Sequence, residues 1–348
     1  LREEGLSWAD AVFHATVRPA QMAWLEQGRM AVGAPADLTL FNPETLTDRA
    51  TFKDQLLPPE GIEYVIIDDG STDGSAEEGS ALNDARIRLH VLPHAGRGAA
   101  LNEGLRRCRG ELIAIMDSDD EAHPARLGRQ LRYMQEHPDV GMLGCHILLR
   151  EEDEDASRIV AFPETHEEIV HLMPVTSAVP FNSAMIRRTV FERAGNFREG
   201  LPAAEDYELQ LRALRSCRFH NLPEVLNTVQ RSRDSMGVVE DSAQNAITLE
   251  ASRAFLAEEE TRPALFDSVE AVRFARARAE YYLGDLAASR RLLADLLRRA
   301  PLHAAYLRYF FPTLLGAPLH RWLRRSGLLS RLSAPLRRRR FLRRQLLP

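Results

Sequence analysis

The stretch Ile62-Glu63-Tyr64-Val65-Ile66-Ile67 is apolar at every position but one and runs straight into Asp68-Asp69-Gly70. A strand wetted on one side alternates polar and apolar residues. A near-continuous apolar run of this length fits a strand buried on both faces. The pattern then repeats. A helix is predicted near 75–83, a strand over Ile87–Leu92, a glycine-bearing turn over His94–Gly98 and a helix over 99–108. Glu111–Met116 is another apolar strand, a helix follows Pro124 to about Glu136, and Val140–Leu149 is a further strand. Strands alternating with helices predict an α/β fold on a parallel or mostly parallel sheet.

Upstream of that block, residues 1 to about 36 read as helix, and Ala36–Phe41 is a short strand candidate closed by Asn42-Pro43. A polar stretch to Leu57 reads as one further helix. From about 240 the chain turns Ala/Leu/Arg-rich and helical, and Ala271–Pro301 has the spacing of one helix-turn-helix unit. A single unit cannot make a solenoid, because about three are needed to bury a shared face. The division expected is 1–36, a catalytic α/β domain over 37–240, a helical cap over 241–319 and a tail over 320–348.

The 348 residues carry a formal net charge of -5, spread unevenly. The tail interleaves ten arginines with Leu, Trp and Phe and holds no acid. Basic amphipathic segments bind anionic membrane surfaces; a solvated tail is the alternative, and nucleic-acid binding is not expected. Three cysteines, Cys108, Cys145 and Cys217, form no paired framework and fit no zinc spacing, so free thiols in a reducing compartment are expected. The start, Leu-Arg-Glu-Glu, has no signal-peptide pattern, and a first residue other than Met points to a chain cut from something longer. A cytoplasmic location follows, with peripheral contact at the inner face of the plasma membrane through 320–348.

Two acidic clusters sit directly after predicted strands: Asp68-Asp69, and Asp117, Asp119 and Asp120 in Asp117-Ser118-Asp119-Asp120. Ligands of open α/β sheets bind at the carboxyl ends of strands. Buried carboxylates need a partner or a metal. Either cluster alone is a good solvated turn; together they suggest one crevice rimmed by carboxylates. A hard cation, Mg²⁺ or Mn²⁺, is usually held there by one or two carboxylates plus substrate phosphates. A third feature, Ala204-Glu205-Asp206-Tyr207-Glu208-Leu209, opens a helical stretch after a Gly/Pro-rich loop. Its carboxylates are either first-turn charges favoured by the helix dipole or a general base presented by a loop.

Five ordered blocks over residues 62 to 236 resemble the catalytic domain of family 2 glycosyltransferases. They are Glu63–Ser75, Gly96–Leu105, Gly110–Pro124, Ala184–Phe197 and Ala204–Leu209. The resemblance implies the GT-A, Rossmann-like fold: a mostly parallel sheet flanked by helices, here with a C-terminal helical extension. It also implies roles. Asp69 would hydrogen-bond the donor's nucleobase, with Asp68 beside it, and Arg97 would contact the nucleotide. Asp117 would face the ribose or the metal, and Asp119 would ligate the metal bridging the diphosphate. Asp206 would deprotonate the acceptor hydroxyl, with Glu205 on the donor side. Arg231 and Arg233 resemble the family's later basic motif, which closes over the diphosphate; plain solvation is the alternative. The activity implied is inverting transfer of a sugar from a nucleotide-diphosphate sugar, expected to be a UDP-sugar, to a hydroxyl of a glycan or lipid-linked acceptor in polysaccharide synthesis.

The family's opening strand, ending in Pro-Thr-Tyr-Asn or similar, is absent. Pro19–Glu44 is instead similar to the carboxyl end of dihydroorotase-like amidohydrolases and carries none of their metal ligands. Asn42 lies 21 residues before Glu63, the separation the family uses, so Leu38–Phe41 is expected to stand in for the first strand. Two alternatives stay open: an inactive or fusion-derived binding module, and a nucleotidyltransferase. The second would want a glycine-rich phosphate loop ahead of a lysine near the first strand, and none is visible.

Overall fold

The computed structural model describes residues 37–41, 62–82, 84–151, 157–231 and 241–315. The helix expected over 1–36, the helix expected before Leu57 and the basic tail lie outside them, as does the Pro19–Glu44 resemblance apart from residues 37–41. The chain divides into two compact units, Leu1–Phe255 and Leu256–Pro348.

In the first unit the elements are β1 (Asp37–Phe41), β2 (Ile62–Asp68), α1 (Ser75–Ala81), β3 (Ile87–Val91), α2 (Arg97–Arg107) and β4 (Leu112–Met116). Then come β5 (Glu121–Ala122), α3 (Arg126–Glu136), β6 (Val140–Glu151), β7 (Ser157–Val160) and α4 (His166–Leu172). A 3₁₀ turn (Phe181–Ser183) leads into β8 (Met185–Arg187) and α5 (Arg188–Ala194), followed by α6 (Glu205–Ala213) and β9 (Arg218–Arg231); α7 (Asp241–Thr261) begins in this unit and runs past its last residue, Phe255.

All the described strands join one sheet in the order β3-β2-β1-β4-β8-β6-β9-β5, with β7 pairing the later part of β6 on the same edge as β8. The fold is α/β, as the alternation predicts. The apolar run pairs in parallel with β3, and β6 pairs in parallel with β9. The other ladders are antiparallel. By these pairings β2, β3, β4, β6 and β9 share one direction, with short opposed strands between or beside them. The sheet is thus mixed in its pairing, which the alternation of strands and helices does not convey.

Residues 37–41 do take the slot between β2 and β4, but they run against both. Asp37 lies opposite Ile66 and Met116, while Phe41 lies opposite Ile62 and Leu112. The carboxyl end of β1 therefore sits at the opposite edge of the sheet from Asp68 and Asp117. In a parallel strand Phe41 would end beside those carboxylates; here it ends at the other end of the strands.

Burial follows the apolar runs. Val65, Ile67, Ile113 and Ile115 are at most 1% exposed. Beneath α3, Leu131 and Met134 pack against Leu112, Ala114, Leu143, Met185, Leu222 and Leu226. This core fixes the strand ends on which the acidic loops ride.

In the second unit α8 (Val269–Leu283) turns at Gly284-Asp285 into α9 (Leu286–Arg299), and α10 (Ala304–Phe310) follows. The Asp285 carboxylate accepts the Ala287 N–H at 2.7 Å, capping α9, and the Ser289 hydroxyl donates to the Ala277 carbonyl at 2.8 Å. Phe274 packs against Tyr306 and Tyr309. None of the described helices is long and apolar enough to cross a membrane.

Candidate active site at the carboxyl ends of β2 and β4

β2 ends on Asp68, which is 1% exposed. Its Oδ1 accepts the Ser71 N–H at 2.7 Å, while its buried Oδ2 has no partner. Asp69 is committed differently. Its two oxygens accept the Ala95 and Gly96 N–H groups at 2.8 and 2.9 Å, and His94 Nδ1 lies 2.9 Å from Oδ2. Gly70 makes this approach feasible: its φ is +82°, and a Cβ there would stand 2.9 Å from the His94 nitrogen. Asp69 thus shapes the loop that launches α2, and Asp68 is the one with an oxygen to spare.

Arg97, the first residue of α2, is the hub. Its guanidinium donates to Glu205 and, at 3.2 Å, to Asp117, and lies 5.8 Å above the Phe181 ring. Burial opposes its charge, but Asp117, Glu205 and Asp206 outweigh burial and hold it more firmly protonated than usual. One arginine thereby joins the loop after β4 to the start of α6.

The chain is built to bring α6 there. The Asn102 side chain exchanges hydrogen bonds with the Phe197 backbone, both at 3.0 Å, and donates to Glu199. Gly98 permits the close approach, since a Cβ on it would lie 2.9 Å from the Arg198 carbonyl oxygen. The loop then reaches Ala204, whose φ of 60° is the only positive value on a non-glycine among the described residues. Left-handed backbone costs an L-residue roughly 1–2 kcal/mol, and such strain clusters at functional sites. Here it turns the chain so that Glu205 and Asp206 open α6 beside Arg97. Glu205 is 2% exposed. Burial pushes the Asp206 carboxyl up, Arg97 pulls it down, Glu205 pushes it up again, and the net shift is upward.

In the loop after β4 the three carboxylates differ. Asp117 is held by Arg97, whereas burial and then the charge of Asp117 push the Asp119 carboxyl up. Asp120 is 2% exposed and points inward, accepting from the side chains of Asn182 and Asn227 and from the Gln230 N–H. Burial, with Asp117 and Asp119 adding to it, pushes its carboxyl up to about 8. Below them Arg126, 1% exposed, donates to the Ile115 carbonyl and to Gln130. Burial works against the Arg126 charge, and Asp120 and Asp117 are among the groups that favour it.

The geometry thus brings together Asp68, Asp69, Arg97, Asp117, Asp119, Glu205 and Asp206. Arg231 closes β9 opposite Glu151, near the Asp120-bound Gln230; Arg233 lies outside the described residues. Sequence reasoning missed Arg126, Asn182, Asn227 and Phe181. Their partners lie as far as 107 residues away, as with Asn227 and Asp120, and no local spacing signals them. Among the described residues no three His, Cys, Asp or Glu side chains form a complete metal cage.

Arg97 supplies a stability prediction. Replacing it by Met leaves Glu205 buried and unpaired, and breaking a buried pair costs about 3–5 kcal/mol. Chemical denaturation of Arg97→Met should show a loss of that size. A loss within 1 kcal/mol would mean that Glu205 is not sealed as described.

Residues 45–195 match the family model described as Glycosyl transferase family 2. The O-antigen biosynthesis glycosyltransferase WbnJ of Escherichia coli is 32% identical over 146 residues, covering 41% of this chain and 56% of that protein. The amylovoran biosynthesis glycosyltransferase AmsE of Erwinia amylovora is 31% identical over 179 residues, covering 49% and 65%. The chain therefore spans less than two thirds of the length of either relative. Among solved structures, S. aureus TarS in complex with UDP-GlcNAc aligns with a TM-score of 0.49 at 15% identity, covering 72% of this chain and 80% of that one. Asp68, Asp69, Arg97, Asp117 and Asp119 fall inside the matched span, and Glu205 and Asp206 fall just beyond it. Residues 45–195 carry a Glycosyl transferase family 2 domain.

Proposed function

We propose that the protein is an inverting glycosyltransferase moving a sugar from a nucleotide-diphosphate sugar to a hydroxyl acceptor in polysaccharide biosynthesis. The observation that carries this reading is the Arg97 clasp. It draws the Asp117–Asp120 loop and the Asp206 helix turn to the same strand ends, so a cation site and a base would face one reacting centre.

The residues fit a divalent cation. Burial and then the charge of Asp117 raise the Asp119 carboxyl, and its own backbone amide and the Arg97 charge offset this only in part, as expected of a carboxylate suited to a cation. Two carboxylates without a third protein ligand suit Mg²⁺ or Mn²⁺, which take much of their shell from substrate phosphates and water. Asp117 and Asp119 would hold it, and when bound it neutralises charge developing on the leaving diphosphate. Asp120 is not a ligand in this scheme; it anchors the loop to Asn182, Asn227 and β9.

On the protein side, Arg97 orients the loop that meets the diphosphate, and Asp69, the more exposed of the two carboxylates ending β2, is an acceptor for an N–H of the base. Asp206, raised yet kept ionisable by Arg97, takes the acceptor proton as its oxygen attacks the anomeric carbon. A single displacement from the face opposite the diphosphate inverts the configuration. A UDP-sugar donor and a glycan or lipid-linked acceptor are the expectations we carry, and acceptor choice would rest with the loops around 150–183 and 198–204.

A second reading has one observation in its favour. β1 runs against its neighbours, so its carboxyl end cannot build the base pocket in the way the family's first strand does. A chain with that wall lost would be an inactive or fusion-derived module. A screen of UDP- and GDP-sugars, following release of the nucleoside diphosphate with Mn²⁺ or with EDTA, separates the two. Metal-dependent release with at least one donor supports the transferase. No release from any donor by well-folded protein supports the inactive module.

A further inference from the structure

The first turn of α3 buries two polar side chains, Arg126 and Gln130, which are 1% and 0% exposed. They share one face of the helix, and the Arg126 Nε–H donates to Gln130 Oε1 at 3.2 Å. Arginine has only donors, so the amide turns its oxygen to the guanidinium and its nitrogen away. That nitrogen donates to the Leu143 carbonyl at 3.1 Å and to the Ser183 carbonyl at 2.7 Å, while Arg126 also donates to the Ile115 carbonyl. The pair thus ties α3 to the end of β4, to β6 and to the 3₁₀ turn at once.

Both ties lead to the acidic loop. Ile115 stands two residues before Asp117 and donates its own N–H to the Ala184 carbonyl at 2.8 Å. In the 3₁₀ turn, Phe181 faces the Arg97 guanidinium, Asn182 donates to Asp120, and Ser183 is held by Gln130. The loop is therefore fixed at its start through Ile115 and at its far end through Asp120. A core position alone would be filled at less cost by an apolar side chain, so the polarity of the pair points to the loop it supports. We propose that Arg126 and Gln130 are positioning residues that hold Asp117 and Asp119 in the arrangement a divalent cation needs. This rests on the reading of those two carboxylates as the cation pair. Neither Arg126 nor Gln130 touches the cation; they act through the Ile115 carbonyl and through the turn that binds Asp120.

The test is titration of Mn²⁺ alone into the full chain, with free Mn²⁺ followed by electron paramagnetic resonance, so neither donor nor turnover is involved. Gln130→Met keeps the length of the side chain and loses its hydrogen bonds. Arg126→Lys keeps the charge and loses the fork. Both leave the charge of the site unchanged, so weaker binding reports position and not field. Each should raise the Mn²⁺ dissociation constant at least about tenfold, as loss of groups behind metal ligands does. Met134→Ala, also on α3 and 0% exposed, should lower the melting temperature yet bind Mn²⁺ like the wild type. Unchanged Mn²⁺ affinity in Gln130→Met or Arg126→Lys, or an equal loss in Met134→Ala, would overturn the proposal. Asp119→Ala separates the two readings. If it loses Mn²⁺ while Gln130→Met and Arg126→Lys do not, positioning alone fails. If Asp119→Ala matches the wild type, the cation site itself is misassigned, and positioning fails with it.

Discussion

Asp206→Asn should lower kcat by about 10²–10⁴-fold while leaving the donor KM within a few-fold, the range removed when a general base is lost. The substitution keeps the shape of the side chain and its bond to the Tyr207 N–H, where Asp206 Oδ1 accepts at 2.7 Å, so the α6 start should survive. What is lost is the basic oxygen. Burial, opposed by Arg97 and aided by Glu205, leaves the Asp206 carboxyl above the ordinary carboxylate range. The sign follows. A base must be ionised to act, so wild-type activity should fall as pH drops through a value higher than that of a free aspartate. That acidic limb should vanish in Asp206→Asn. The pH profile of kcat/KM measures both, and an unchanged limb in the variant would assign the base elsewhere.

Asp119→Ala should be comparably severe, at about 10³-fold in rate, because a bound cation contributes several kcal/mol of charge stabilisation and, on the proposed reading, Asp117 and Asp119 hold it. The loss should be partly recoverable at high Mn²⁺, since Asp117 remains. The Mn²⁺ concentration for half-maximal rate should rise at least about tenfold. Asp120→Ala should behave otherwise. Its carboxylate binds Asn182, Asn227 and the Gln230 N–H, so its removal should appear first as lost stability.

Much of the fold was legible because the central strands are short, apolar and bounded by turn residues. Ile62–Asp68 and Leu112–Met116 sit within a residue of where the pattern put them, and their acidic ends made the site visible. β9 was not legible. Arg-Phe-His-Asn-Leu-Pro-Glu-Val-Leu-Asn-Thr-Val-Gln-Arg mixes polar, charged and proline residues, and it is held by pairing with β6, some 80 residues earlier. The three-residue β8 is too short to show a period. The direction of β1 is likewise invisible in five residues, because alternation reads the same forwards and backwards.

The same contrast holds inside the site. Asp117, Asp119 and Asp206 stand out in the sequence one by one, by type and position, as candidates. Their union through Arg97 does not, because Arg97 meets Glu205 across 108 residues and the meeting depends on Asn102, Gly98 and the left-handed turn at Ala204. Nor could the sequence separate Asp68 from Asp69. Only the loop amides of Ala95 and Gly96 distinguish the carboxylate that builds the loop from the one with an oxygen to spare.

The carboxylates after β4 are proposed to hold a nucleotide-diphosphate sugar through a divalent cation. Calorimetric titration of the donor chosen by the release screen, with Mn²⁺ and then with EDTA, tests it most directly. Binding is expected with Mn²⁺, with loss of binding in EDTA and loss of binding with Mn²⁺ in Asp119→Ala. Binding that survives both EDTA and Asp119→Ala would contradict it.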